Sequence, residues 1–225
     1  THADKKDTNN TSLQVNAPQP VIVPQSIPIN TTHPWGVTGH DAQNTHLSPY
    51  SGPTTLKEKC TFDNTDSKIE PLYGSDGTIY IGSDGPPGIT AIYSDCSQKW
   101  IYNSPSTAAD IFGMALINNE IYVTYGDGYI RKHSLSTGNV TAEQQFTGYN
   151  IYLDYIGDHF IYDGGSYIYV PVRNTDNPGR LYKLDLSLNE IWEYAFPFAD
   201  LGRQPVRIAL GLDGTIIAGV GANHL

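Results

Sequence analysis

Two histidines, His40 and His46, flank the loop sequence DAQNT six residues apart, a spacing at which two imidazoles could share a metal ion. A loop this rich in small polar side chains also packs on itself, and loop packing is the role expected of both. Four carboxylates, Asp76, Asp84, Asp127 and Asp213, each stand directly before glycine and could offer oxygens to Ca²⁺. An EF-hand loop wants further oxygens at alternate positions and an Asp-box wants a residue between Asp and Gly, so neither motif fits. Turn chemistry is the better reading, with the carboxylate bonding the backbone and glycine taking a positive φ. No G-x-S-x-G, H-E-x-x-H, phosphate-cradling glycine loop or C-x-x-C-H haem site occurs.

The two cysteines, Cys60 and Cys96, stand far apart in the chain. Cys60 alternates in step with Leu56 and Phe62, as a small buried apolar residue would. A Cys60–Cys96 disulfide would instead suit an oxidising compartment. Asn9, Asn10, Asn30 and Asn139 each begin an N-x-Ser/Thr sequon and are candidate N-glycosylation sites. The chain starts at Thr1 without an apolar leader, which suggests a processed protein or part of a longer one.

What must position these side chains is a repeat. SDGTIYIG at 75–82 returns as LDGTIIAG at 212–219, with degenerate versions NNEIYVTY at 118–125 and GSYIYVPV at 165–172. Aligning Ile79, Ile121, Ile168 and Ile216 gives intervals of 42, 47 and 48 residues. Each unit has a second half: ITAIYSDCSQKW at 89–100 and LYKLDLSLNEIW at 181–192 alternate, turn at a polar tip and end on Trp100 and Trp192. The middle unit, IRKHSLSTGNVT at 130–141, has Thr141 in that place. Both tryptophans are expected to pack between repeats rather than to stack on a ligand.

Four strands per unit are expected. The first unit has 69–73, 78–83, 89–94 and 98–103, the second 112–117, 120–125, 129–134 and 139–146, and the third 158–162, 166–172, 181–186 and 190–196. A fourth unit begins with 205–211 and 214–220. A four-stranded antiparallel sheet leaves its faces uncovered until neighbours stack on them, and repeats of about 40 to 50 residues built this way are blades of a β-propeller. The expected fold is all-β, with about three and a half to four blades at 67–104, 110–147, 157–197 and 204–225, the last incomplete. Residues 1–33, with prolines at 18, 20, 24 and 28, read as an extended or disordered arm.

Composition narrows the partners. The net charge of −10, with no Lys/Arg cluster, repels a phosphate backbone and argues against nucleic acid. No apolar run approaches the roughly 18 to 20 residues of a membrane span.

HPWGVTGHDAQNTHLSPYSGPTTLKEKCTF, residues 33–62, resembles the lead-in of PQQ-like repeat propellers, and DGTIYIG, LYKLD and NEIW resemble that family's second, third and fourth blade strands. The resemblance covers 33–225. It implies that a lone strand, about 55–62, completes the final blade and locks the ring, removing an exposed edge. Family rings have seven or eight blades, so the chain is expected to be part of a longer propeller. A four-bladed ring closed by 55–62, or two chains sharing eight blades, are the alternatives. A simple stack of blades sets Cys60 and Cys96 at different heights.

The family's catalytic members are quinone-dependent dehydrogenases, which hold their cofactor between an aromatic floor and commonly a disulfide of adjacent cysteines, with Ca²⁺ on carboxylate and amide oxygens. Adjacent cysteines are absent here and the spacing offers no calcium ligand set, so no cofactor, metal or catalytic residue is expected. The expected role is a non-catalytic scaffold of the extracellular space, the cell envelope or a particle surface. It would bind a protein or glycan through propeller loops, with the arm making assembly or homo-oligomer contacts. A fragment of a quinone-dependent dehydrogenase is the alternative.

Overall fold

The computed structural model describes residues 37–39, 42, 46, 51–52, 54–55, 57–62, 67, 69–107, 110–146, 155–156, 160–173, 179–196 and 207–219. The proline-rich stretch 1–33 lies outside them. All regular structure among these residues is β.

The first sheet runs β1 (Leu72–Tyr73), β2 (Ile79–Asp84), β3 (Pro87–Ile92), β4 (Gln98–Asn103), and the second β5 (Ile111–Ile117), β6 (Glu120–Tyr125), β7 (Tyr129–Ser134), β8 (Val140–Gln145), each antiparallel in sequence order. In the third, β9 (Tyr155–Ile156) and β10 (Ile161–Tyr162) pair with opposite ends of β11 (Tyr167–Arg173), followed by β12 (Arg180–Asp185) and β13 (Glu190–Ala195). The fourth contains β14 (Arg207–Leu210) and β15 (Ile216–Gly219). The expected strands are recovered within about two residues, except that the strand expected at 69–73 is only Leu72–Tyr73 and the single strand expected at 158–162 is two short pieces, the first lying further upstream. Pro87 opens β3 two residues early, which it can do as the first residue of a strand.

Burial explains why such sheets stack. The middle strands are covered on both faces: β3 is buried throughout, and β6 in all but its first residue. The outer strands β8 and β13 alternate or lie exposed. One apolar core joins the first and second sheets around Leu72, Trp100, Met114 and Val123. A second joins the second and third around Ile130, Phe146, Tyr182 and Leu188, and a third joins the third and fourth around Ile161, Leu181 and Ile208. No core among the described residues joins the fourth sheet to the first. The fold is an all-β, partial β-propeller, an arc of three full blades and the opening of a fourth.

First strands of neighbouring sheets approach one another, β1 with β5 and β10 with β14. The lead-in runs across this inner edge: Val37 bridges Ala115 of β5, Thr38 N–H donates to Met114 O at 3.3 Å, and Leu210 N–H of β14 donates to Ala42 O at 3.0 Å. Residues 57–62 form no strand, contrary to the expectation of a closing strand at 55–62. They are tied instead to the first sheet, because Cys60 is disulfide-bonded to Cys96 in the β3–β4 turn with Cα atoms 6.0 Å apart. The expectation that the two cysteines sit at different heights is therefore corrected. Cys96 stands in that turn with a left-handed backbone, at φ 67°.

Candidate functional site

The repeated phrase is a turn device. In both copies the glycine two residues before Asp donates its N–H to the threonine carbonyl, Gly74 to Thr78 at 2.8 Å and Gly211 to Thr215 at 2.7 Å. Thr78 and Thr215 return their N–H groups to Asp76 Oδ1 and Asp213 Oδ1 at 3.0 and 2.9 Å. Asp163, a fifth Asp-Gly aspartate that the sequence reading leaves out, accepts the N–H groups of Gly165, Ser166 and Tyr167. Asp84 departs from the pattern: its Oδ1 accepts Ile111 N–H at 3.1 Å and so staples the first blade to the second.

Beside Asp76 lies a polar recess. Ser75, Asp76, Lys99, Asn119, Ser134 and Ser136 line a groove of about 450 Å³ between the first and second blades, with Tyr80 and Leu135 at its base. Lys99 Nζ binds Asp76 Oδ2 at 3.1 Å and Thr78 Oγ1 at 3.0 Å. Burial works against the charge of Asp76, but the Thr78 and Lys99 hydrogen bonds outweigh it and hold its pKa down at about 2. Beneath the groove Trp100 Nε1 donates to Leu135 O at 2.9 Å. Every wall therefore comes from a hairpin turn or strand fixed by its own hydrogen bonds.

Asp127 is no simple turn residue. It is buried and grips Arg131 through both oxygens, at 3.0 and 2.8 Å, while Arg131 Nε reaches Glu143 at 3.0 Å. The guanidinium carbon lies 4.8 Å from the Tyr125 ring centroid and 4.4 Å from that of Tyr129. Burial opposes its charge, and the Asp127 carboxylate more than restores it, raising the Arg131 pKa. His133 is fully buried next to this pair, its Nδ1 2.9 Å from Gly138 O and its Nε2 2.8 Å from Tyr125 Oη. A carbonyl only accepts, so Nδ1 carries the proton and Nε2 accepts from the phenol. Burial first, then the Arg131 charge, lowers the His133 pKa to about 4. Sequence reasoning missed this cluster; its signal was three consecutive cationic or titratable residues, Arg131, Lys132 and His133, inside an otherwise apolar strand pattern.

The remaining candidates scatter. His46 pairs with Glu70 across 3.0 Å, and Gly39 N–H binds the other oxygen of that carboxylate. His40, Asn9, Asn10 and Asn30 lie outside the described residues. Asn139 is exposed in the β7–β8 turn. Trp100 and Trp192 sit at the ends of different blades. Thr141 does not occupy the corresponding place: the ladder encloses one residue more between His133 and Val140 than between Ile92 and Gln98, so Ala142, opposite Lys132, stands where Trp100 stands opposite Ala91.

Comparison with models of known families and with curated proteins finds no match. Solved structures do match. A europium-containing methanol dehydrogenase shares 19% identity over 75% of this chain and 33% of its own, with a TM-score of 0.62. The quinohemoprotein alcohol dehydrogenase of Comamonas testosteroni shares 17% over 72% of this chain and 27% of its own, at 0.53. The quinohemoprotein alcohol dehydrogenase ADHIIG of Pseudomonas putida HK5 shares 16% over 77% and 28%, also at 0.53. The chain thus spans a third or less of these neighbours' length. Likeness at this identity shows the fold, a β-propeller.

A quinone with a bound cation needs carboxylate oxygens free to ligate it. Near the inner strands Asp84 is engaged by Ile111, Glu70 by Gly39 and His46, and Asp127 by Arg131. No three His, Cys, Asp or Glu side chains converge among the described residues. Those residues do not fit such a group.

Proposed function

We propose that this chain is a non-catalytic binding scaffold of the extracellular space, cell envelope or a particle surface, which holds a glycan or a polar protein loop in the groove between its first two blades. The observation that carries the reading is the groove itself. Hydroxyl, amide, carboxylate and ammonium groups converge there on hairpin turns that are already fixed, so little ordering entropy opposes binding. The Asp-Gly carboxylates instead serve turns, a staple between blades and a buried ion pair. The Cys60–Cys96 disulfide and the exposed sequon at Asn139 both accord with an oxidising, secreted setting. The proline-rich arm is proposed to contact neighbours in an assembly. No helix among the described residues is long and apolar enough to cross a membrane.

The test is a glycan array and a cross-linking pull-down with the purified chain and with Asn119→Ala and Ser136→Ala, two exposed substitutions. Binding should fall about tenfold for either, about one lost hydrogen bond to ligand, with unfolding unchanged. Ligand capture indifferent to both would remove the groove from the reading. Alcohol oxidation on adding a pyrroloquinoline quinone and Ca²⁺ would replace it with the dehydrogenase alternative.

A further inference from the structure

The first two blades meet differently from the second and third. Across the first sheet the ladder aligns Tyr80, Ala91 and Trp100, and across the second it aligns Tyr122, Lys132 and Ala142 in the same places. The first junction is matched by size: Trp100 lies over Gly138, so closely that a Cβ on that glycine would stand 2.5 Å from the indole ring. At the second junction the small Ala142 packs on the core that holds the buried Leu188, a turn residue with a left-handed backbone like that of Gly138.

The donor to the turn carbonyl changes with the packing. Leu135 O accepts from Trp100 Nε1 at 2.9 Å, whereas Leu186 O accepts from Tyr122 Oη at 2.7 Å and Lys132 Nζ at 3.0 Å. Tyr80 has the place of Tyr122, but the indole already holds the carbonyl of the facing turn. Tyr80 is 1% exposed and still lines the floor of the polar groove. No carbonyl among the described residues accepts from its phenol as Leu186 does from Tyr122. Burial, then the charge of Asp76, push its pKa up to about 12 against the pull of the Thr78 hydroxyl, so the phenol keeps its proton.

Asp76 and Lys99 are the charged residues of the lining, and they neutralise each other at 3.1 Å. Each retains one position for a ligand. An ammonium has three protons, of which Asp76 and Thr78 take two, and the Tyr93 ring, 5.7 Å away, lies beyond hydrogen-bond reach. A carboxylate accepts about four hydrogen bonds, of which Thr78 N–H, Thr78 Oγ1 and Lys99 supply three. The pair therefore presents one donor beside one acceptor, without net charge. Neighbouring ring hydroxyls of a sugar, each able to donate and to accept, satisfy both together. A single peptide unit cannot, because its N–H and C=O point in opposite directions. An anionic group would meet Asp76 as well as Lys99.

We infer that the groove takes a neutral pyranose unit of a glycan, with two adjacent hydroxyls on the Asp76–Lys99 pair, a third on the Tyr80 phenol and its C–H face on Leu135. The inference rests on the proposed reading of this groove as a binding site and narrows its ligand class. The net charge of −10 acts in the same direction, by repelling uronate and sulfated sugars.

The probes are neutral oligosaccharides of glucose, mannose, galactose and N-acetylglucosamine, and the anionic trigalacturonate, titrated calorimetrically into the intact chain. At least one neutral probe should bind saturably, about tenfold or more tighter than trigalacturonate. Tyr80→Phe removes one oxygen and should weaken that binding about tenfold, with the urea midpoint unchanged. Tyr122→Phe should do the reverse, lowering the midpoint because Leu186 O loses a donor and leaving binding as it was. Asp76→Asn keeps an oxygen for Thr78 N–H but leaves the Lys99 charge unopposed, so trigalacturonate should then bind as tightly as the neutral probe or more so. The inference is overturned if no neutral probe binds at millimolar concentration, if the unaltered chain prefers trigalacturonate, or if Tyr80→Phe binds as tightly as the unaltered chain. Capture of a protein but no sugar, weakened by Asn119→Ala and Ser136→Ala, would overturn it and leave the groove reading standing. Capture that ignores both of those substitutions would remove the groove reading and the inference together.

Discussion

Replacing Gly138 by alanine probes the junction device directly. Gly138 has φ 74°, where an L-residue costs about 1–2 kcal/mol, and its new Cβ would meet the indole at 2.5, 2.8 and 2.9 Å from three ring carbons. Trp100 cannot yield easily, because its Nε1 is held by Leu135 O and its ring lies against Tyr80. Overpacking of this kind costs about 1–3 kcal/mol, so Gly138→Ala should destabilise by about 2–5 kcal/mol. Gly77 supplies the control: its φ is 81°, but the nearest atoms to an added Cβ are at 3.7 and 4.0 Å, leaving only the backbone cost of about 1–2 kcal/mol. Urea unfolding followed by circular dichroism at neutral pH measures both. In a Trp100→Ala background the steric part should vanish, giving a coupling of about 1–3 kcal/mol. If Gly138→Ala proves no costlier than Gly77→Ala, or if its excess cost persists without the indole, the size-matching argument is wrong.

Three further outcomes follow from the buried chemistry. His133 stays neutral in the fold down to pH about 4, while an unfolded histidine protonates near 6.5; the unfolded chain binds the extra proton between those values, so stability is complete above about 6.5 and declines as pH falls toward 4. NMR titration of the imidazole checks this, and a midpoint near 6.5 would refute it. Removing either partner of the Asp127–Arg131 pair should cost about 3–5 kcal/mol by stranding a buried charge, whereas replacing both with apolar residues should cost less than either alone in the same urea assay. Reducing Cys60–Cys96, which are separated by 36 residues, should lower stability by about 4 kcal/mol on a loop-closure basis; peptide mapping that finds both thiols free would dispose of that expectation.

The strand pattern was legible because alternation and Asp-Gly turns are local, and the two copies of the repeated phrase fold into the same hydrogen-bonded turn. What escaped was set by pairing across the chain. A single extra residue between His133 and Val140 moves the tryptophan position from Thr141 to Ala142, and only the ladder with β7 reveals the shift. The split of β9 and β10 likewise depends on both pieces finding the two ends of β11. Asp127 read as one more turn aspartate although Arg131 stands only four residues on, because the Asp-Gly pattern hid that the hairpin buries both side chains. The lead-in could not be seen lying across β5 and β14, since Val37 meets Ala115 and Ala42 meets Leu210 far along the chain.

The disulfide gains a physical reason from the same register. Cys96 occupies the left-handed turn position held by Gly138 and Leu188 in the next two blades, and in both of those that position meets the blade before it. No blade precedes the first among the described sheets, and Cys60, from the segment at 57–62, takes up the contact instead. Three ways of filling one interblade position then appear in a single chain: indole on glycine, alanine beside leucine, and sulfur bonded to sulfur. The first depends on a close fit that a Cβ on Gly138 would break. The third is covalent and holds without matched side-chain volumes.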